Sequence, residues 1–574
     1  MDTQKLKGYM RKFSLQQLKK FLGENLVDML IEWTPDNQPL FTKNKLADMI
    51  ITVHGANILS KKEFRSLLVQ KFAEQDILSF RNLLGDRYNT ASLYEIIEAV
   101  ASATWNRNDI SLHILDILDI NEDIFPTYQA DEQALNSILG PDRFFELLDY
   151  QFVIKQRVIN NLSSGVELNR MLIHMPTGTG KTKTAMHTII HHYIFNLNKK
   201  GLVIWMAHTN ELLYQAVETF ANVWRHIGRG EVNLFRFWGN YELEVTDEPL
   251  NGFIFCGFQK LISVAKSRSH LFDKLVQDCD LIIVDEAHKA AATETKSVID
   301  RIMTKKSNMK DRALIGLTAT PGRSIDDIID NNRLITMFDN KTITIDTEVL
   351  NMINFTKFKA QNTLPEKDII KYFQEREILS KIKREKLIYN TDLTENELKK
   401  LRVKANANGY TDFSKEFLEV IGRNKSRNLT ILNKLVELNA KKLSTIVFAC
   451  SVEHGRLLST ALSLEGINNA CVFGDMDTRT RAEVIRKFKD RDDAMNILIN
   501  YEVLTTGFDA TNIQCVFITR PTQSVVLYSQ MLGRGLRGPK MGGYEECLLV
   551  DIEDNLNKFN ESMAFSYFDS YWNV

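Results

Sequence analysis

Residues 171–184 read MLIHMPTGTGKTKT, an apolar run that passes directly into a loop with two glycines. The apolar run is typical of a buried strand, and residues 185–195, AMHTIIHHYIF, predict a helix after the loop. Gly178 and Gly180 allow the backbone to turn sharply, so that several N–H groups point toward one place. Such a cluster of N–H groups, followed by the N-terminus of a helix, suits a phosphate group.

Two side chains directly after the glycines extend this interpretation to a nucleotide and a metal ion. Lys181 is placed to reach the terminal phosphates, and the hydroxyl of Thr182 is placed to bind Mg²⁺. The spacing is that of a P-loop, with Met175 at the position of its first glycine. The stretch therefore predicts a nucleotide site and leaves the reaction open.

The length and charge of the chain restrict the classes of protein to which it can belong. With 574 residues it is too long for a single core, and it predicts about three or four domains. Lysine and arginine total 72 and nearly balance the 73 aspartates and glutamates, so the chain has no bulk positive field. Any contact with nucleic acid must therefore come from a local basic stripe.

The cysteines and the N-terminus indicate a reducing compartment. The six cysteines lie singly, and none has the C-x₂-C spacing of a zinc site, so we expect buried free thiols. His187 and His191 lack the glutamate of a zinc-protease helix, which disfavours a metal site there. The N-terminus has no apolar signal segment, and no later run approaches the length of a membrane span. We therefore expect a soluble cytoplasmic protein with no membrane partner.

Changes in composition and in the spacing of apolar residues divide the chain into four predicted segments. Apolar residues at helical spacing and two capping boxes, Ser60 with Glu63 and Ser92 with Glu95, predict an N-terminal helical domain. A later stretch rich in Lys and Glu, which includes DIIKYFQEREILSKIKREKLIY, has helical periodicity and predicts a helical insertion or linker. The predicted segments are an N-terminal helical accessory domain (1–141), an α/β domain (142–347), the helical linker (348–423) and a second α/β domain (424–574).

The two α/β segments predict parallel sheets. The first contains the apolar runs MLIHM, GLVIWMAH, GFIFCGF, LIIVDEAH and ALIGLTAT, and the second contains STIVFAC, NACVFG, MNILIN, CVFITR and CLLVDI. Short apolar runs between helical segments are typical of parallel strands that are covered on both faces. Because ligands gather at the carboxyl ends of such strands, the polar clusters that follow these runs are candidate site residues.

A pair of carboxylates follows one of these runs. Asp285 stands at the end of LIIV, where it can hold Mg²⁺ through water, and Glu286 can orient or deprotonate the attacking water. His288 is placed to sense the γ-phosphate. An Asp-Glu pair at a strand end is often only a solvated strand exit, but the P-loop earlier in the chain favours the catalytic interpretation.

Four motifs together resemble those of the superfamily 2 helicases and translocases. PTGTGKT, DEAH, TAT at residues 318–320 and QMLGRGLR at residues 530–537 occur in the order and at the spacing of that family. The resemblance covers residues 147–558 and implies a site for ATP and Mg²⁺ between two lobes. The expected fold class is therefore α/β, with two tandem RecA-like parallel-sheet domains, an N-terminal helical domain and a helical insertion between the lobes.

The resemblance also implies nucleotide-binding roles. In LLDYQ, Gln151 matches the residue that bonds the adenine edge, and Tyr150 packs beside it. The motif LTTGFDATN would place its Gly507 and Asp509 near the nucleotide. The implied nucleotide-binding residues, with those of the P-loop, are Tyr150, Gln151, Thr177, Gly178, Thr179, Gly180, Lys181, Thr182, Gly507 and Asp509. The implied metal ligands are Thr182 and Asp285.

Other motifs of the family contact the nucleic-acid backbone or couple hydrolysis to strand movement. AHTNELLYQ, GFQKL, FACSVEHGRLL and the start of LTTGFDATN resemble the backbone-contacting motifs, and LTATPGR resembles the coupling motif. The nucleic-acid candidates implied in this way are His208, Thr209, Asn210, Gly257, Gln259, Lys260, Thr318, Thr320, Ser451, Thr505 and Thr506.

The last motif supplies two arginines. Arg534 and Arg537 lie three residues apart, and we expect them on one face of a helix start, from which they reach the γ-phosphate as arginine fingers. The guanidinium group suits this task because it stays charged and binds phosphate oxygens in pairs. With the P-loop in one lobe and the arginines in the other, ATP would close the cleft and hydrolysis would release it. The catalytic candidates are Lys181, Asp285, Glu286, His288, Gln530, Arg534 and Arg537.

The form of these motifs is similar to that of type I and type III restriction-enzyme motors and related repair helicases. The similarity favours double-stranded DNA over RNA, although backbone-contacting motifs carry no sequence specificity. It also suggests an anti-phage defence or repair component whose effector or nuclease partner binds through residues 1–141. The alternative from another class is a nucleic-acid-sensing scaffold that ATP binding switches. The complete set of catalytic candidates favours turnover.

Overall fold

The structure is a computed structural model, and its strands and helices follow the alternation of apolar runs and helical periodicity in the sequence. The residues that it describes are 3–23, 26–27, 30, 41–121, 124–125, 135–140, 146–163, 169–243, 248–267, 270–304, 312–320, 328–346, 369–389, 412–474, 476, 478–490, 495–505, 510–522 and 524–552.

Fourteen strands occur among the described residues. They are β1 (Leu135–Gly140), β2 (Asn169–His174), β3 (Leu202–Ala207), β4 (Gly230–Phe237), β5 (Gly252–Gly257), β6 (Cys279–Val284), β7 (Ala313–Thr318), β8 (Thr342–Thr344), β9 (Lys381–Leu387), β10 (Thr445–Phe448), β11 (Asn469–Val472), β12 (Ile497–Asn500), β13 (Cys515–Ile518) and β14 (Glu546–Ile552).

The α-helices of the described residues are numbered in chain order. They are α1 (Gln4–Met10), α2 (Leu15–Leu22), α3 (Lys43–His54), α4 (Lys62–Val69), α5 (Glu74–Ser79), α6 (Arg81–Leu84), α7 (Leu93–Ser102), α8 (Asp109–Leu118), α9 (Asp149–Leu162), α10 (Lys181–Phe195), α11 (Asn210–Ile227), α12 (Phe258–Lys266), α13 (His270–Asp278), α14 (Thr293–Thr304), α15 (Ile328–Met337), α16 (Ile369–Glu375), α17 (Lys415–Gly422), α18 (Lys425–Ala440), α19 (Val452–Leu464), α20 (Thr478–Asp490) and α21 (Val525–Leu532).

The chain forms two compact units, and each unit draws on separate stretches of sequence. The first unit consists of Met1–Gln129, Leu387–Val403 and Ser414–Val503. The second unit consists of Ala130–Lys386, Lys404–Phe413 and Leu504–Val574. The P-loop and the QMLGRGLR motif therefore belong to the same unit. The four segments inferred from composition and apolar spacing remain a prediction.

The second unit contains an eight-stranded sheet. Its strand order is β1-β4-β5-β3-β6-β7-β2-β8. The pairs β2–β7, β2–β8, β3–β5, β3–β6, β4–β5 and β6–β7 are parallel, and β1 pairs antiparallel with β4. All six residues of β3 and of β7 are buried, which agrees with strands covered on both faces. The five apolar runs predicted for this region form β2, β3, β5, β6 and β7.

The other five predicted runs form β10 to β14. In the first unit β12 lies between β11 and β10, and both pairs are parallel. In the second unit β13 pairs parallel with β14. With the N-terminal helices, these parallel sheets confirm the predicted fold class.

The helical prediction for residues 368–389 is wrong in its second half. A helix, α16, ends at Glu375, and the chain continues as β9. The backbone N–H of Lys381 donates to the carbonyl of Glu545 over 2.8 Å, and the Lys381 ammonium lies 3.0 Å from the Glu545 carboxylate. Lys383 forms a similar pair with Glu546 at 2.6 Å. The charged run therefore forms an edge strand because its lysines meet glutamates on a neighbouring chain segment.

A strand also occurs in the segment predicted to be an N-terminal helical domain. This strand is β1, and it pairs with β4 in register from Leu135 opposite Phe235 to Gly140 opposite Gly230. The helices predicted upstream of β1 are confirmed by α1 to α8.

The N-terminal helices of the first unit share one apolar core with α19. The rings of Phe13 and Phe21 pack on Phe64 with centroids 5.6 Å and 5.1 Å away, and Leu457 of α19 is buried in the same core. In the first unit, these helices therefore pack directly against the α/β part that follows residue 414.

One of the two predicted capping boxes is absent. Ser92 and Glu95 form a capping box at the start of α7, as predicted. At the start of α4, however, Lys61 is the N-cap residue and makes no side-chain cap. The carbonyl of Ser60 accepts instead from Nη1 of buried Arg65 over 2.7 Å. The same guanidinium group also donates to the carbonyls of Leu59, Ala101 and Ala103, so it fixes the turn before α4 without capping the first N–H groups of the helix.

Two further expectations concern the chain as a whole. All six cysteines are free, and five of them are buried. Of the helices that the structure describes, none is long and apolar enough to span a lipid bilayer.

Candidate nucleotide-binding site

The P-loop connects β2 to α10 through two glycines with left-handed backbone conformation. Gly178 has φ +87° and Gly180 has φ +78°, a region that residues with a side chain rarely adopt. A Cβ atom at Gly180 would lie 2.3 Å from Nε2 of Gln151. Gly180 is therefore required for two reasons: its backbone conformation is left-handed, and the side chain of Gln151 leaves no room for a Cβ atom.

The residues predicted to read the base are bonded to the P-loop backbone. The hydroxyl of Tyr150 and Nε2 of Gln151 both donate to the carbonyl of Thr179, over 2.7 Å and 2.9 Å. Oε1 of Gln151 accepts from the N–H of Leu148 over 3.0 Å. Both side chains are almost completely buried, and they tie the start of α9 to the loop. Their contact with an adenine ring stays a prediction.

The carboxylate pair lies at the end of β6. Asp285 follows the strand directly, and its Oδ1 accepts from the backbone N–H of Glu286 over 3.0 Å. Glu286 has φ +49° and ψ +57°, an uncommon conformation for a residue with a long side chain. Its Oε1 lies 3.6 Å from Nζ of Lys181, and both side chains are largely buried. A strained backbone at such a pair is typical of functional sites.

Burial and nearby charges shift the pKa values of Asp285 and Glu286 in opposite directions. Burial raises the pKa of Asp285 to about 7, the negative charge of Glu286 adds to this effect, and Lys181 opposes it. Burial opposes the ionisation of Glu286 as well, but nearby positive charge, that of Lys181 above all, holds the pKa of Glu286 below its usual range. Glu286 is therefore kept as a carboxylate, the form that a general base needs.

His288 faces both the carboxylate pair and the TAT motif. Burial lowers the pKa of His288 to about 3, so its imidazole is neutral at physiological pH. Its Nδ1 lies 3.4 Å from Oε2 of Glu286 and 3.3 Å from Oγ1 of Thr318. The adjacent carboxylate favours the proton on Nδ1, and Nε2 is buried without a hydrogen-bond partner.

The TAT residues are enclosed at the same end of the sheet. Thr318 pairs with His174 of β2 across neighbouring strands, and its Oγ1 bonds to the carbonyl of Thr320 over 2.7 Å and accepts from the N–H of Thr320 over 3.0 Å. Both threonine side chains are buried. Thr318 contacts the catalytic candidate His288 and Thr320 contacts Thr318, while their coupling role stays a prediction.

Arg534 and Arg537 do not lie on a helix, contrary to the sequence prediction. Helix α21 ends at Leu532, and the arginines follow in a turn. A Cβ at Gly533 would lie 2.4 Å from Cγ2 of Thr177, and one at Gly535 would lie 2.3 Å from Sγ of Cys547. The glycines of the motif thus end the helix and let its backbone approach the P-loop closely.

Both guanidinium groups nevertheless face the nucleotide site. Nη2 of Arg534 donates to the carbonyl of Thr505 over 3.0 Å. Burial lowers the pKa of Arg534 to about 10, opposed by the charge of Glu286, and burial lowers the pKa of Arg537 to about 10. Both groups therefore remain charged at neutral pH.

A cavity of about 460 Å³ in the second unit brings these candidates together. It is open enough for a charged ligand and is lined by cations and carboxylates. Its lining residues are Pro176, Thr177, Gly178, Gly180, Lys181, Thr182, Lys183, Leu212, Gln215, Thr219, Asp285, Glu286, Thr511, Arg534, Arg537, Lys540 and Met541.

Sequence reasoning missed several lining residues, of which Lys540 had a recognisable signal. It stands three residues after Arg537, which itself stands three after Arg534, so one basic residue recurs at every third position. Lys183 lies close to the P-loop, where its Nζ donates to the carbonyl of Glu146 over 2.5 Å. For Thr511 and Met541 the sequence offers no comparable signal.

The donor set of the cavity fits a magnesium ion. Thr182 and Asp285, the two predicted ligands, both line it and offer hydroxyl and carboxylate oxygens, the ligands that Mg²⁺ prefers. A divalent cation beside Asp285 would favour its ionised form and so oppose the effect of burial.

The nucleic-acid candidates of the eight-stranded sheet lie at neighbouring strand ends. Strands β3 and β5 are paired with Ala207 opposite Gly257, so His208–Asn210 and Phe258–Lys260 follow at adjacent positions. Thr209 caps α11 by accepting from the N–H of Leu212 over 3.3 Å. Nζ of Lys260 is bonded to the Glu242 carboxylate, so its charge is already balanced.

The remaining candidates are distributed differently. Ser451 belongs to the first unit, where it caps α19 by accepting from the N–H of His454 over 3.1 Å. Gln530 is buried in α21, and its Nε2 has no hydrogen-bond partner. Three candidates, Thr506, Gly507 and Asp509, lie outside the described residues.

Two family models match the chain at the two α/β parts. The model described as type III restriction enzyme, res subunit, matches residues 144–323. The model described as helicase conserved C-terminal domain matches residues 427–538. Together they contain the P-loop, the carboxylate pair, the TAT motif and both arginines.

Curated relatives carry helicase names. A protein of Saccharomyces cerevisiae, named as the ATP-dependent helicase IRC3, is 26% identical over 418 residues, covering 71% of this chain and 51% of the relative. The ATP-dependent DNA helicase mph1 of Aspergillus fumigatus is 27% identical over 204 residues, covering 35% of this chain and 17% of the relative. The chain thus spans about half the length of the first of these relatives, and less of the second.

Among solved structures, one similar chain is a fragment named for the HsdR subunit of a type I restriction enzyme from Vibrio vulnificus. It is 18% identical with a TM-score of 0.44, and the match covers 71% of this chain and 64% of that chain.

Proposed function

Because the chain belongs to superfamily 2 of the helicases and translocases, ATP-hydrolysing enzymes, and is related to restriction-enzyme motor subunits, we propose that it is an ATP-driven nucleic-acid motor. One observation carries the proposal. The P-loop lysine, the carboxylate pair and both arginines line a single cavity in one compact unit. A protein that only bound nucleotide would need the lysine but not the general base beside it.

The proposed chemistry is hydrolysis of the terminal phosphate of ATP. Lys181 and the arginines offset the charge that develops on the transferring phosphoryl group, and Glu286 orients the attacking water and accepts its proton. His288, which also contacts Thr318, positions Glu286 from its other side. Mg²⁺, held by Thr182 and Asp285, would neutralise phosphate charge when bound. The proposal also includes a catalytic role for Gln530 and a contact between Gln151 and the adenine ring.

DNA is the proposed substrate. Support comes from the restriction-enzyme family model and from the relative named as a DNA helicase. Backbone contacts are assigned to the ends of β3 and β5, with Asn210 and Gln259 exposed there, and to Ser451, Thr505 and Thr506. Because such contacts read phosphates, we expect activity on any DNA sequence.

We further propose a bacterial anti-phage defence or DNA repair role, in the cytoplasm. The support is the family model named for the res subunit of a type III restriction enzyme, which matches the part of the chain that contains the P-loop, the carboxylate pair and the TAT motif. A protein effector or nuclease would then bind through residues 1–141. Pull-down with the full chain and with a chain lacking these residues tests this assignment, and retention of every partner by the shortened chain contradicts it.

The first experiment is steady-state ATP hydrolysis by the purified protein. It is measured without nucleic acid and with blunt duplex DNA, single-stranded DNA, forked DNA and duplex RNA, beside a Lys181→Ala control. Stimulation by duplex DNA and loss of hydrolysis in the control are the expected results. Stimulation by RNA alone contradicts the choice of substrate.

A second variant distinguishes a motor from a scaffold that ATP binding switches. Glu286→Gln keeps the shape of the side chain but removes the base, so hydrolysis by a motor should fall about 100-fold or more. DNA-stimulated translocation, followed by triplex displacement, should be lost with it. Retained or increased function in the non-hydrolysing variant supports the scaffold instead.

A further inference from the structure

A short segment outside every recognised motif joins three parts of the nucleotide site. It consists of residues 373–380, from the end of α16 to the start of β9, and is called the strap below. Phe373, Leu379 and Ser380 are each at most 1% exposed. The strap lies wholly in the second unit, as do the P-loop and the arginine motif.

The strap is bonded to the arginine motif through main-chain atoms on both sides. The N–H of Ser380 donates to the carbonyl of Leu536 over 3.1 Å, and the N–H of Gly538 donates to the carbonyl of Ile378 over 3.0 Å. Leu379 and Arg537 form an isolated antiparallel bridge. The strap therefore holds the main chain on both sides of Arg537 after α21 has ended.

The same strap touches the P-loop and the start of α9. A Cβ at Gly178 would lie 3.2 Å from Cδ2 of Leu379, so this leucine packs directly on the loop. The ring of Phe373 meets that of Tyr150 edge to face, with centroids 4.9 Å apart. Arg376 pairs with Asp149 at 3.0 Å. One continuous segment thus connects the base side of the site, the phosphate loop and the arginines.

The hydroxyl of Ser380 makes the most specific contact of the strap. It lies 2.7 Å from the carbonyl of Arg537 and 2.8 Å from that of Tyr544. A hydroxyl has one proton, so it is shared between the two carbonyls, and both bonds are partly buried. The Arg537 carbonyl also accepts from the N–H of Tyr544 over 3.0 Å, so loss of the hydroxyl would loosen the backbone of Arg537 by removing the one side-chain donor that the strap supplies to it.

We propose that Ser380 is a positioning residue for ATP hydrolysis, which holds the backbone of Arg537 so that its guanidinium meets the terminal phosphate. The inference rests on the proposed function of the cavity. Ser380 has no contact with the cavity itself, so its effect passes through Arg537. The strap links that arginine to the P-loop, and its influence should therefore appear only when a terminal phosphoryl group is present.

The test is Ser380→Ala in the full chain, with kcat and KM for ATP and with equilibrium binding of a fluorescent ADP. ADP lacks the group that Arg537 reaches, so its affinity should stay within about twofold. The kcat should fall at least about tenfold, as a small displacement of a catalytic group predicts. The affinity for ADP with aluminium fluoride, which imitates the transferring phosphoryl group, should fall with kcat.

Ser459→Ala is the matched control. Ser459 is a buried serine of the first unit whose hydroxyl donates to Asn469 over 2.6 Å, so its substitution removes a buried hydroxyl and its hydrogen bond outside the unit of the nucleotide site. It should leave kcat and both affinities unchanged. Unfolding temperatures are recorded for every variant, so that a fall in kcat is interpreted only for a folded protein.

Gly538→Ala disturbs the same contact from the opposite side. Its Cβ would lie 2.3 Å from the carbonyl of Glu377, which forces the strap and the arginine motif apart. It should reproduce the fall in kcat, and it keeps the proposal testable when Ser380→Ala fails to fold.

Three outcomes would contradict either the positioning role of Ser380 or the proposed ATP hydrolysis on which it rests. A folded Ser380→Ala or Gly538→Ala protein with unchanged kcat overturns the positioning role. An equal loss of affinity for ADP and for ADP with aluminium fluoride also overturns it, because the effect would then not be confined to the terminal phosphate. Hydrolysis by the unmodified protein no faster than by Lys181→Ala refutes the proposed function instead.

Discussion

Glu286 illustrates how single residues are set by their surroundings at this site. It holds a left-handed backbone conformation, a carboxylate buried beside Lys181, and a second contact to His288. The left-handed backbone and the burial of the carboxylate are unfavourable, and the positive charge of Lys181 keeps the base ionised inside the protein. The same reasoning applies to buried histidines elsewhere, whose neutral form is enforced by burial.

The buried pair of Lys181 and Glu286 should show strong coupling in the nucleotide-free protein. Lys181→Ala leaves a buried carboxylate without its cation, so it should destabilise the protein more than the double variant with Glu286→Gln does. We expect a coupling free energy of about 1–3 kcal/mol from a double-mutant cycle of urea unfolding. Additive effects of the two substitutions would contradict the pair.

His454 should make the first unit sensitive to mild acid. Burial lowers the pKa of His454 to about 3, and the charge of Arg427 adds to this, whereas an unfolded histidine titrates near 6.5. Between these values the unfolded state binds one more proton, so stability falls as the pH falls from about 6.5 toward 3.

The expected loss of unfolding free energy from this group is about 2 kcal/mol between pH 7 and pH 5. His454→Gln removes the titration, so its urea-unfolding free energy should depend less on pH in this window. The substitution costs stability at pH 7, and therefore only the slope is compared. An unchanged slope would show that His454 is not responsible.

At the scale of elements, the apolar runs predicted strands well and the charged runs predicted them poorly. All ten quoted apolar runs became strands, because burial on both faces demands continuous apolar side chains. The edge strand β9 escaped detection because its lysines pair with Glu545 and Glu546, which are far away in the sequence. The arginine motif was misassigned to a helix for a related reason, since close approach of its glycines to Thr177 and Cys547 is a tertiary event.

Two glycines in regular elements should respond oppositely to the same substitution. In β7, a Cβ at Gly316 would lie 2.4 Å from Cζ of Phe338 and 2.6 Å from Cδ1 of Leu172. Gly316→Ala should therefore destabilise the second unit by about 1–3 kcal/mol. In α1, no atom lies within 4 Å of a Cβ at Gly8, so Gly8→Ala should stabilise by up to about 1 kcal/mol.

Thermal and urea unfolding of the two alanine variants provide the measurement. Because α1 belongs to the first unit and β7 to the second, each change should appear in the transition of its own unit. A destabilising Gly8→Ala, or a neutral Gly316→Ala, would mean that the surroundings of these glycines differ from those described.

At the scale of the whole molecule, each compact unit is assembled from stretches that are separate in the sequence. The N-terminal helices belong to the same unit as residues 414–503, and residues 504–574 belong to the unit of the P-loop. The helices contribute to a core that contains Leu457 of α19, and α3 packs against that helix. The N-terminal helices are therefore part of the structural core of the first unit.

Leu457→Ala tests this shared core. The side chain is 2% exposed, so its truncation should lower the unfolding free energy of the first unit by about 2–5 kcal/mol. Leu429→Ala, at a leucine of α18 that is 39% exposed, is the matched control and should change it by less than about 1 kcal/mol. The KM for ATP should be unchanged in both, and equal unfolding curves for the two variants would count against the shared core.

The sequence by itself determined the parallel α/β class, the P-loop, the carboxylate pair after β6 and the presence of two arginines in the last motif. These follow from local rules, namely apolar periodicity, glycine conformation and the charge that phosphate requires. Only the tertiary structure decided that Gln151 bonds the P-loop, that His288 contacts Glu286 and Thr318, and that Ser380 bonds the backbone of Arg537. Those contacts join residues that are distant in the chain, and no local pattern records them because packing and the satisfaction of buried polar groups select them only when the sheet has formed.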